Sequence, residues 1–334
     1  MTDKKVDTVR LQEMARAYTR SAALFAAIEL DLFSQIAAGA DTVPVIAQNL
    51  GISSLNAERL ITMCVGCNLL TRKGDTFANA PDVARYLVKG EPGYAGPWML
   101  FTKPEWAGWG NLSDHLRNQE PPAQTGMYED FTVDDARRYH AATYSIGMGA
   151  GRRFVRQVDL SERRKLLDLG GGSGAYSIAA AKAYPELTAT VFDLPPVTVV
   201  TAEYVAEHNL SDRISTQAGD FTRDPFPENI DAVIMASNLP QYGPKLISMV
   251  IQKAFDALVP GGEMHLVGEM LDDDRSGPLD AAIWGLGETL SNSTGLAHSR
   301  ADCIGYLSEA GFTEVTAQEF IPGVLARVSG TKPK

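Results

Sequence analysis

Apolar residues recur at helical spacing through the first part of the chain. Leu11, Met14 and Tyr18 begin a series with steps of three and four, which predicts a helix over residues 10–38. The end of this stretch, AALFAAIELDLFSQI, is too apolar for a solvated helix. We therefore expect it to pack against a partner surface, such as a second subunit.

Residues 41–89 have the pattern of a winged helix. Two apolar-striped helices, DTVPVIAQNLG and SSLNAERLITMCVGCNLL, precede two short strands around the Gly-Asp turn of LLTRKGDTFANA. Such a module either binds DNA or dimerises. Its second helix, over residues 53–70, carries Arg59 as its only basic residue, whereas phosphate contact needs a basic face. A dimerisation domain over residues 1–95 is therefore the favoured interpretation.

The middle of the chain is rich in aromatic residues and arginine. The segment EPPAQTGMYEDF, which contains Tyr128, predicts a loop, and DDARRYHAATYSIGMGAGRRF begins as a helix. Glycines in the second half of that helix lower its stability but let other groups approach closely. We expect residues 96–160 to form a helical connector that contributes to a substrate pocket.

From residue 161 onward, strand patterns alternate with helix patterns. The segments RKLLDLG, TATVFDL, ISTQAGD, IDAVIMAS and EMHLVGEM predict a parallel sheet covered on both faces. The tail TEVTAQEFIPGVLARVSGT holds two strand-like segments without a helix between them. The prediction for residues 161–334 is an α/β, Rossmann-like sheet that ends in an antiparallel hairpin.

Composition and charge narrow the classes of partner. The chain has 334 residues, and its net charge of −11 argues against a nucleic-acid backbone or an anionic membrane as partner. No apolar run approaches the roughly 18–20 residues that span a bilayer, and the start lacks a signal-peptide apolar region. Three cysteines do not make a disulfide framework. No acidic cluster in the site region suggests a metal, and LDDDR at 271–275 is interpreted as a solvated loop. These features predict a soluble cytoplasmic protein.

The glycine-rich turn in LLDLGGGSGAYS is the strongest motif. Asp168 ends a strand, and Gly170, Gly172 and Gly174 lead into a helix, so backbone N–H groups can meet a ligand there. Asp193, at the end of the next strand, holds the position that binds ribose hydroxyls. The spacing by itself also fits a dinucleotide fingerprint. The C-terminal location, the GDF sequence at 219–221 and the terminal hairpin favour S-adenosylmethionine (SAM).

With these motifs the chain resembles the SAM-dependent O-methyltransferases of the caffeic-acid and hydroxyindole type and their bacterial relatives that act on polyketides. The resemblance covers nearly the whole length, through LLDLGGGSG, VFDLPPV, GDFTRDPFP, ALVPGGEMHLVGE and EAGFTEV. It implies a homodimer with a class I methyltransferase domain that converts SAM to S-adenosylhomocysteine (SAH). It also implies ten residues in the SAM site: Asp168, Gly170, Gly172, Gly174, Asp193, Leu194, Asp220, Phe221, Ala236 and Ser237.

The sequence departs from this family where its catalytic base is expected. The family's histidine falls on Pro240 in ASNLPQYGP, and the tryptophan two positions later falls on Tyr242. One of the two glutamates that usually flank the histidine matches Glu269, whereas the other is replaced by Ala297, next to His298. The six candidates for the catalytic side of the site are Tyr139, His140, Tyr144, Tyr242, Glu269 and His298.

A missing base suggests an acceptor atom that carries no proton. A thioether sulfur attacks a methyl group directly, and aromatic rings stabilise the resulting sulfonium by cation–π contact. This pattern is similar to bacterial S-methyltransferases that convert 4-methylthio-2-hydroxybutyrate to its dimethylsulfonio product in dimethylsulfoniopropionate synthesis. The candidates to hold the substrate carboxylate are Arg137, Arg138, Arg152 and Arg153.

Two other functions remain open on the sequence. A substitute base, with His298, Tyr242 or His140 as the candidates, would allow O- or C-methylation of an aromatic or tetrapyrrole-like substrate. Alternatively, the chain is not an enzyme but a winged-helix regulator that senses SAM. The acidic net charge and the presence of only one basic residue, Arg59, on the second helix argue against the regulator.

Overall fold

A computed structural model describes residues 6–122 and 131–334 of the chain. These residues form two compact units, Met1–Lys103 and Pro104–Lys334. The boundary between the units falls inside the segment 96–160 that the sequence predicts as a connector. Tyr128 and the surrounding loop prediction lie outside the described residues.

The first unit combines helices with a two-stranded antiparallel hairpin. Its elements are α1 (Val9–Glu29), α2 (Leu32–Ala37), α3 (Val43–Leu50), α4 (Ser54–Gly66), β1 (Leu70–Lys73), β2 (Thr76–Asn79), α5 (Pro81–Tyr86) and α6 (Gly96–Met99). The α3–α4–hairpin order is that of the predicted winged helix. Ser53 caps α4, since its side chain accepts a hydrogen bond from the backbone N–H of Asn56.

The predicted helix over 10–38 is two helices in the structure. Asp31 adopts a left-handed conformation with φ 62°, which an aspartate tolerates, and this ends α1 and starts α2. The apolar segment that we expected to need a partner surface is largely buried inside its own unit, where Ala27, Leu32 and Phe33 belong to the core. The apolar residues that stay exposed lie nearer the start of α1 and include Leu11 and Met14.

The second unit is built on a seven-stranded sheet with the order β5-β4-β3-β6-β7-β9-β8. The strands are β3 (Lys165–Leu169), β4 (Thr188–Asp193), β5 (Ile214–Ala218), β6 (Ile230–Ala236), β7 (Leu258–Gly268), β8 (Thr313–Ile321) and β9 (Leu325–Thr331). Strands β3 to β7 are parallel, and β9 runs antiparallel to both β7 and β8. The predicted fold class, with its terminal hairpin, is confirmed.

Helices precede, connect and cover these strands. They are α7 (Trp106–Gly110), α8 (Leu112–Arg117), α9 (Val133–Gln157), α10 (Ala175–Ala183), α11 (Pro195–Glu207), α12 (Pro244–Ala257), α13 (Leu279–Gly287) and α14 (Arg300–Glu309). The chain order places β4 and β5 on one side of β3 and β6 on the other. The carboxyl ends of β3 and β6 therefore meet at a topological switch point, where open α/β sheets bind ligands.

Helix α9 continues through the glycines that were expected to weaken it. Thr132 and Asp135 form a capping box at its start. A Cβ atom on Gly151 would lie 2.8 Å from the carbonyl oxygen of Ala175, so glycine lets α9 pack closely against the first turn of α10. The close packing explains why the helix persists there. Among the described residues, no helix has the length and apolarity that crossing a membrane requires.

We expect Leu169→Ala to lower the free energy of unfolding by about 2–5 kcal/mol, because Leu169 is fully buried in the central strand and its removal leaves a cavity. The measurement is urea unfolding followed by circular dichroism. Leu279→Ala is the matched control, since that leucine is 73% exposed and its truncation costs about 0.5 kcal/mol or less. Equal losses in the two variants would contradict the assignment of the core.

Candidate active site

The turn after β3 strongly favours glycine at Gly170 and Gly172. Gly170 and Gly172 have φ of 61° and 57°, in the left-handed region that favours glycine. A Cβ atom on Gly170 would lie 2.8 Å from Nδ2 of Asn238. A Cβ atom on Gly172 would lie 2.6 Å from Cε1 of His140, on α9. The turn is therefore closely flanked by a residue that follows β6 and by a residue of α9.

Asp168 carries a buried carboxylate beneath this turn. Its side chain is fully buried, and Oδ2 accepts a 2.7 Å hydrogen bond from the hydroxyl of Ser177. Oδ1 has no hydrogen-bond partner among the described residues. Burial raises the pKa of Asp168 to about 6. A buried acceptor without a donor fits a ligand that brings one, as the ammonium and hydroxyl groups of SAM do.

Asp193, at the end of β4, is fixed beside the same turn. Its Oδ2 accepts a 2.8 Å bond from the backbone N–H of Gly172, and its Oδ1 accepts a 2.7 Å bond from that of Leu194. Burial raises the pKa of Asp193 to about 6, against the lowering effect of these two bonds. Each carboxylate oxygen keeps further acceptor capacity, so the fixed carboxylate can receive a pair of ribose hydroxyls.

The GDF sequence after β5 lies against the glycine turn. Asp220 Oδ1 accepts hydrogen bonds from the backbone N–H and the hydroxyl of Thr222, at 2.8 and 2.6 Å. The ring of Phe221 meets that of Tyr242 edge-on, with 5.3 Å between centroids. Phe221 Cε1 lies 3.0 Å from the Cβ position on Gly170. An aromatic surface thus borders the turn, as an adenine site requires.

Ala236, Ser237 and Asn238, at the carboxyl end of β6, connect this strand to its neighbours. Asn238 is not among the site residues that the sequence predicts. Ala236 is the last residue of β6, and Ser237 follows with φ 58° and donates its backbone N–H to Val267. Asn238 Nδ2 donates to the carbonyl oxygens of Ala236 and Leu169, at 2.9 and 3.2 Å. Asn238 therefore holds the ends of β3 and β6 together. Its position directly after a buried strand was the available signal.

His298 packs against the stretch that has Pro240 at the position of the family's histidine. Only 1% of His298 is exposed. Its Nε2 donates to the carbonyl oxygen of Tyr242 at 2.9 Å, so Nδ1 is left to accept from the hydroxyl of Tyr306, also at 2.9 Å. Both ring nitrogens are engaged. In this structure His298 supports the turn at Leu239–Gln241 and presents no free nitrogen to a substrate.

Tyr242 is also a poor candidate for a base. It is 8% exposed, and burial raises the pKa of its hydroxyl well above the ordinary value of 10. The charges of Asp220, Asp193 and Glu288 raise that pKa further. Tyr242 therefore keeps its proton at neutral pH, which corrects the expectation that it could accept one.

The candidates on α9 lie in two different environments. The Tyr144 ring stacks on Tyr204 of α11 at 4.2 Å, and its hydroxyl hydrogen-bonds to His208, so its contacts belong to α11 rather than to the strand ends. His140 lies on the glycine turn instead. Burial lowers the pKa of His140 to about 4, so it is neutral at physiological pH. Tyr139 packs edge-on against His140, with ring centroids 5.1 Å apart.

Glu269 follows β7 and is partly buried. Burial raises its pKa, and the charge of Asp280 raises it further. The charges of Asp168 and Glu269 both add to the effect of burial in raising the pKa of Tyr176 on α10. Glu269 thus acts electrostatically on the side of the site where the glycine turn meets α10.

The arginines proposed to hold a substrate carboxylate have other partners or face solvent. Arg137 bonds to Asp134 and to a glutamate of α11, and Arg138 bonds to Asp135. Arg153 donates to a backbone carbonyl of β8. Arg152 is exposed. The expected carboxylate clamp is therefore not formed, because the positions of these residues on α9 direct them toward neighbouring acids, a strand or solvent.

A carboxylate that the sequence analysis did not single out lies beside Pro240. A Cβ atom on Gly295 would lie 2.2 Å from the carbonyl oxygen of Pro240 and 2.7 Å from Cγ of Glu288. Burial raises the pKa of Glu288, Ser293 lowers it through a hydrogen bond, and the charge of Glu105 raises it. The available signal was that Glu288 is the only charged residue between positions 281 and 297.

Helix α7, near the start of the second unit, packs against residues that flank Glu288 in the chain. Trp109, on α7, donates from Nε1 to a carboxylate oxygen of Glu105 at 3.2 Å. Its Cζ2 lies 3.6 Å from the Cβ position on Gly287. Leu290 lies against Gly108 in the same way. Gly287 and Leu290, on either side of Glu288 in the chain, therefore pack against α7.

Comparison with known proteins gives matches over nearly the whole chain. A model of the O-methyltransferase domain matches residues 121–313, and one of the O-methyltransferase dimerisation domain matches residues 12–90. The chain is 32% identical to 3-hydroxy-5-methyl-1-naphthoate 3-O-methyltransferase of Streptomyces sahachiroi, with 96% of this chain and 94% of the relative covered. It is 30% identical to the tetracenomycin polyketide synthesis 8-O-methyl transferase of Streptomyces glaucescens, with 96% of each covered.

Among solved structures, human N-acetylserotonin methyltransferase in complex with SAM superimposes with a TM-score of 0.85. The two chains are 26% identical, and the alignment covers 100% of both. A structure of PigF with SAH has a TM-score of 0.84 at 22% identity, covering 98% of this chain and 100% of the other. At 22% identity, the similarity to PigF shows a shared fold alone.

We expect Gly172→Ala to raise the Kd for SAM about tenfold or more. An alanine there is strained at φ 57°, and its Cβ atom would force His140 or the turn to move. Isothermal titration calorimetry measures the change. Gly305→Ala is the matched control, because a Cβ atom on that residue of α14 meets no atom within 4 Å. Wild-type affinity in Gly172→Ala would show that the turn does not contact the cofactor.

We expect Asp168→Asn to raise the melting temperature of the SAM-free protein at pH 7.5. Burial raises the pKa of Asp168 from 3.8 to about 6, so the folded state binds a proton between these values that the unfolded state releases. The carboxyl therefore destabilises the fold increasingly as pH rises through that range. An amide lacks this cost.

The gain should shrink toward zero at pH 4, where the wild-type carboxyl is protonated in the folded protein. Thermal unfolding at several pH values measures it, and calorimetry should show weaker SAM binding by the same variant. A melting temperature below that of the wild type at pH 7.5 would refute this account of Asp168.

Proposed function

Because this chain belongs to the O-methyltransferase family, we propose that it transfers a methyl group from SAM to a hydroxyl oxygen of an aromatic small molecule. The chain is a SAM-dependent methyltransferase, as the family models and the relatives agree. This result removes the SAM-sensing regulator from the candidates. The match to the dimerisation domain supports a homodimer. Its localisation in the cytoplasm stays a prediction.

The observation that carries the proposal is the combination of two features of the site. The glycine turn and its two aspartates fit SAM, and aromatic side chains lie nearby. Three left-handed glycines, the unpartnered Oδ1 of Asp168 and the fixed carboxylate of Asp193 fit the methionine and ribose parts of SAM. Bound SAM supplies a methyl group activated by a positively charged sulfur. Phe221 borders the glycine turn and packs on Tyr242, and Trp109 lies against Gly287. Flat surfaces suit an aromatic acceptor and exclude water.

The relatives support an aromatic hydroxyl as the acceptor. The names of the two Streptomyces enzymes place the methyl group on oxygens of a naphthoate and of a polyketide-synthesis product, and that of the human enzyme refers to N-acetylserotonin. We propose the same acceptor chemistry for this chain, with Asp168, Asp193, Leu194, Asp220, Phe221 and Ser237 in contact with SAM.

S-methylation of a thioether acid such as 4-methylthio-2-hydroxybutyrate is the second candidate. Pro240 favours it, because a proline at the position of the family's histidine cannot accept a proton and a thioether does not need a base. The engaged side chains of Arg137, Arg138 and Arg153 speak against it, since only the exposed Arg152 of the four candidates is left to hold the carboxylate of such a substrate. Hydroxyl methylation is therefore preferred.

We expect 2-naphthol and hydroxynaphthoates to yield O-methyl products, at rates at least 100-fold above that of 4-methylthio-2-hydroxybutyrate. Mass spectrometry of SAH and of the methylated product measures both reactions. Asp193→Ala is the control, because loss of the ribose-binding carboxylate should abolish every product formed at this site. Turnover of the thioether acid without turnover of any hydroxyl compound would replace the first candidate by the second.

A further inference from the structure

The hydroxyl proton of an aromatic acceptor needs a destination other than the family's histidine. A phenol has a pKa of about 10 and is mostly protonated at neutral pH. Pro240 and the amide of Gln241 are not bases. Tyr242 keeps its own proton, and His298 has both nitrogens engaged. The stretch that should carry the base therefore has no side chain available to act as one.

Glu288 is brought to this stretch by the loop that follows α13. Gly295 is the point of contact, since the carbonyl oxygen of Pro240 and Cγ of Glu288 both lie within 3 Å of the same Cβ position on that glycine. A side chain at Gly295 would overlap both groups, so only glycine fits between them without a shift. Although 48 positions apart in the chain, the backbone of Pro240 and the side chain of Glu288 thus approach each other at Gly295.

Two consecutive hydrogen bonds, through Ser293, orient the carboxylate of Glu288. The backbone N–H of Gly295 donates to the hydroxyl oxygen of Ser293 at 3.0 Å, and that hydroxyl donates to Oε2 of Glu288. Because Ser293 binds one oxygen, the other is left to receive a proton. Burial and the neighbouring Glu105 make the carboxylate a stronger base than an exposed one.

We propose that Glu288 is the general base of this enzyme, with Ser293 as the positioning residue that orients it. The inference rests on the proposed function, since a thioether acceptor would leave Glu288 without a proton to take. The hydroxyl proton of the acceptor moves to Oε1 of Glu288. The oxygen lone pair forms the new C–O bond with the methyl carbon, and the electrons of the broken C–S bond stay on sulfur as SAH forms. Glu288 then releases the proton to solvent.

A purely structural alternative has Glu288 only fixing the loop at 288–295 through Ser293. Glu288→Gln separates the two functions. The glutamine keeps an oxygen that accepts from Ser293 and has nearly the same volume, but it cannot take up a proton. A loop anchor would therefore survive this substitution, whereas a base would not.

We expect Glu288→Gln to lower kcat for 2-naphthol about 100-fold or more, within the range of roughly 10²–10⁴ that general bases contribute. The KM for 2-naphthol, the Kd for SAM and the melting temperature should stay close to those of the wild type. The wild-type kcat/KM should fall as pH drops through the raised pKa of Glu288, and the variant should lack that acidic limb.

The remaining activity of the variant should depend on how readily the acceptor ionises by itself. We expect 4-nitrophenol, which is more acidic, to lose a smaller factor than 2-naphthol, and the variant's rate with 2-naphthol to rise toward alkaline pH. With SAH bound, ultraviolet difference spectra of 4-nitrophenol measure its ionisation without turnover. The wild type and Glu288→Gln should differ in the pH at which the bound phenol ionises.

Two further variants complete the test. Glu288→Asp keeps a carboxylate on a shorter stem, so it should recover part of the activity together with the acidic limb. Glu228→Gln is the matched control, because this exposed glutamate precedes β6, at the opposite end of that strand from the site. It should leave both kcat and the acidic limb of the wild type unchanged.

A Glu288→Gln enzyme that methylates 2-naphthol at the wild-type rate with the wild-type pH profile would overturn the assignment. An equal loss with 2-naphthol and 4-nitrophenol, or a loss in Glu288→Asp as large as in Glu288→Gln and without an acidic limb, would assign Glu288 a structural function only. If the wild type methylates no hydroxyl compound, the proposed function itself fails, whatever the variants do.

Discussion

The turn after β3 has to leave the sheet through left-handed backbone conformations, and the rest of the site depends on this constraint. Side chains at Gly170 and Gly172 would occupy the space of Asn238 and His140. Their absence lets the backbone N–H of Gly172 reach Asp193 on the next strand. One backbone geometry therefore fixes the entry to α10, the position of the Asp193 carboxylate proposed to bind ribose and the distance between β3 and β6.

The acceptor side, which comprises the turn at Leu239–Gln241 and Glu288, is held in place differently. There the chain uses long-range contacts between loops rather than a fixed turn. His298 holds the turn at Leu239–Gln241 from beneath through the carbonyl of Tyr242, and Gly295 admits the carbonyl of Pro240 next to Glu288. The cofactor side thus rests on local backbone conformation. The acceptor side rests on contacts that form only after the loops have folded together.

This division explains what the sequence could predict. The glycine turn, Asp168, Asp193 and the GDF segment follow strands at short, regular spacings, so periodicity and spacing were enough to find them. Tyr139 and Tyr144 are five residues apart on a helix with 3.6 residues per turn, so their side chains point about 140° apart, and Tyr144 packs on α11. Which face of α9 meets which neighbour is tertiary information, and the same holds for its arginines. Glu288 stands out in the sequence as the only charged residue between positions 281 and 297, but its proximity to Pro240 is again tertiary information.

The two buried acids beneath the glycine turn have a consequence for the life of the protein in the cell. Asp168 and Asp193 are costly to keep charged in the empty fold, and a cofactor that supplies donors to them recovers part of that cost. Any ligand that binds only the native state lowers the unfolded fraction in proportion to its occupancy. Proteases act on that fraction, so the lifetime of this enzyme is coupled to the supply of its own methyl donor.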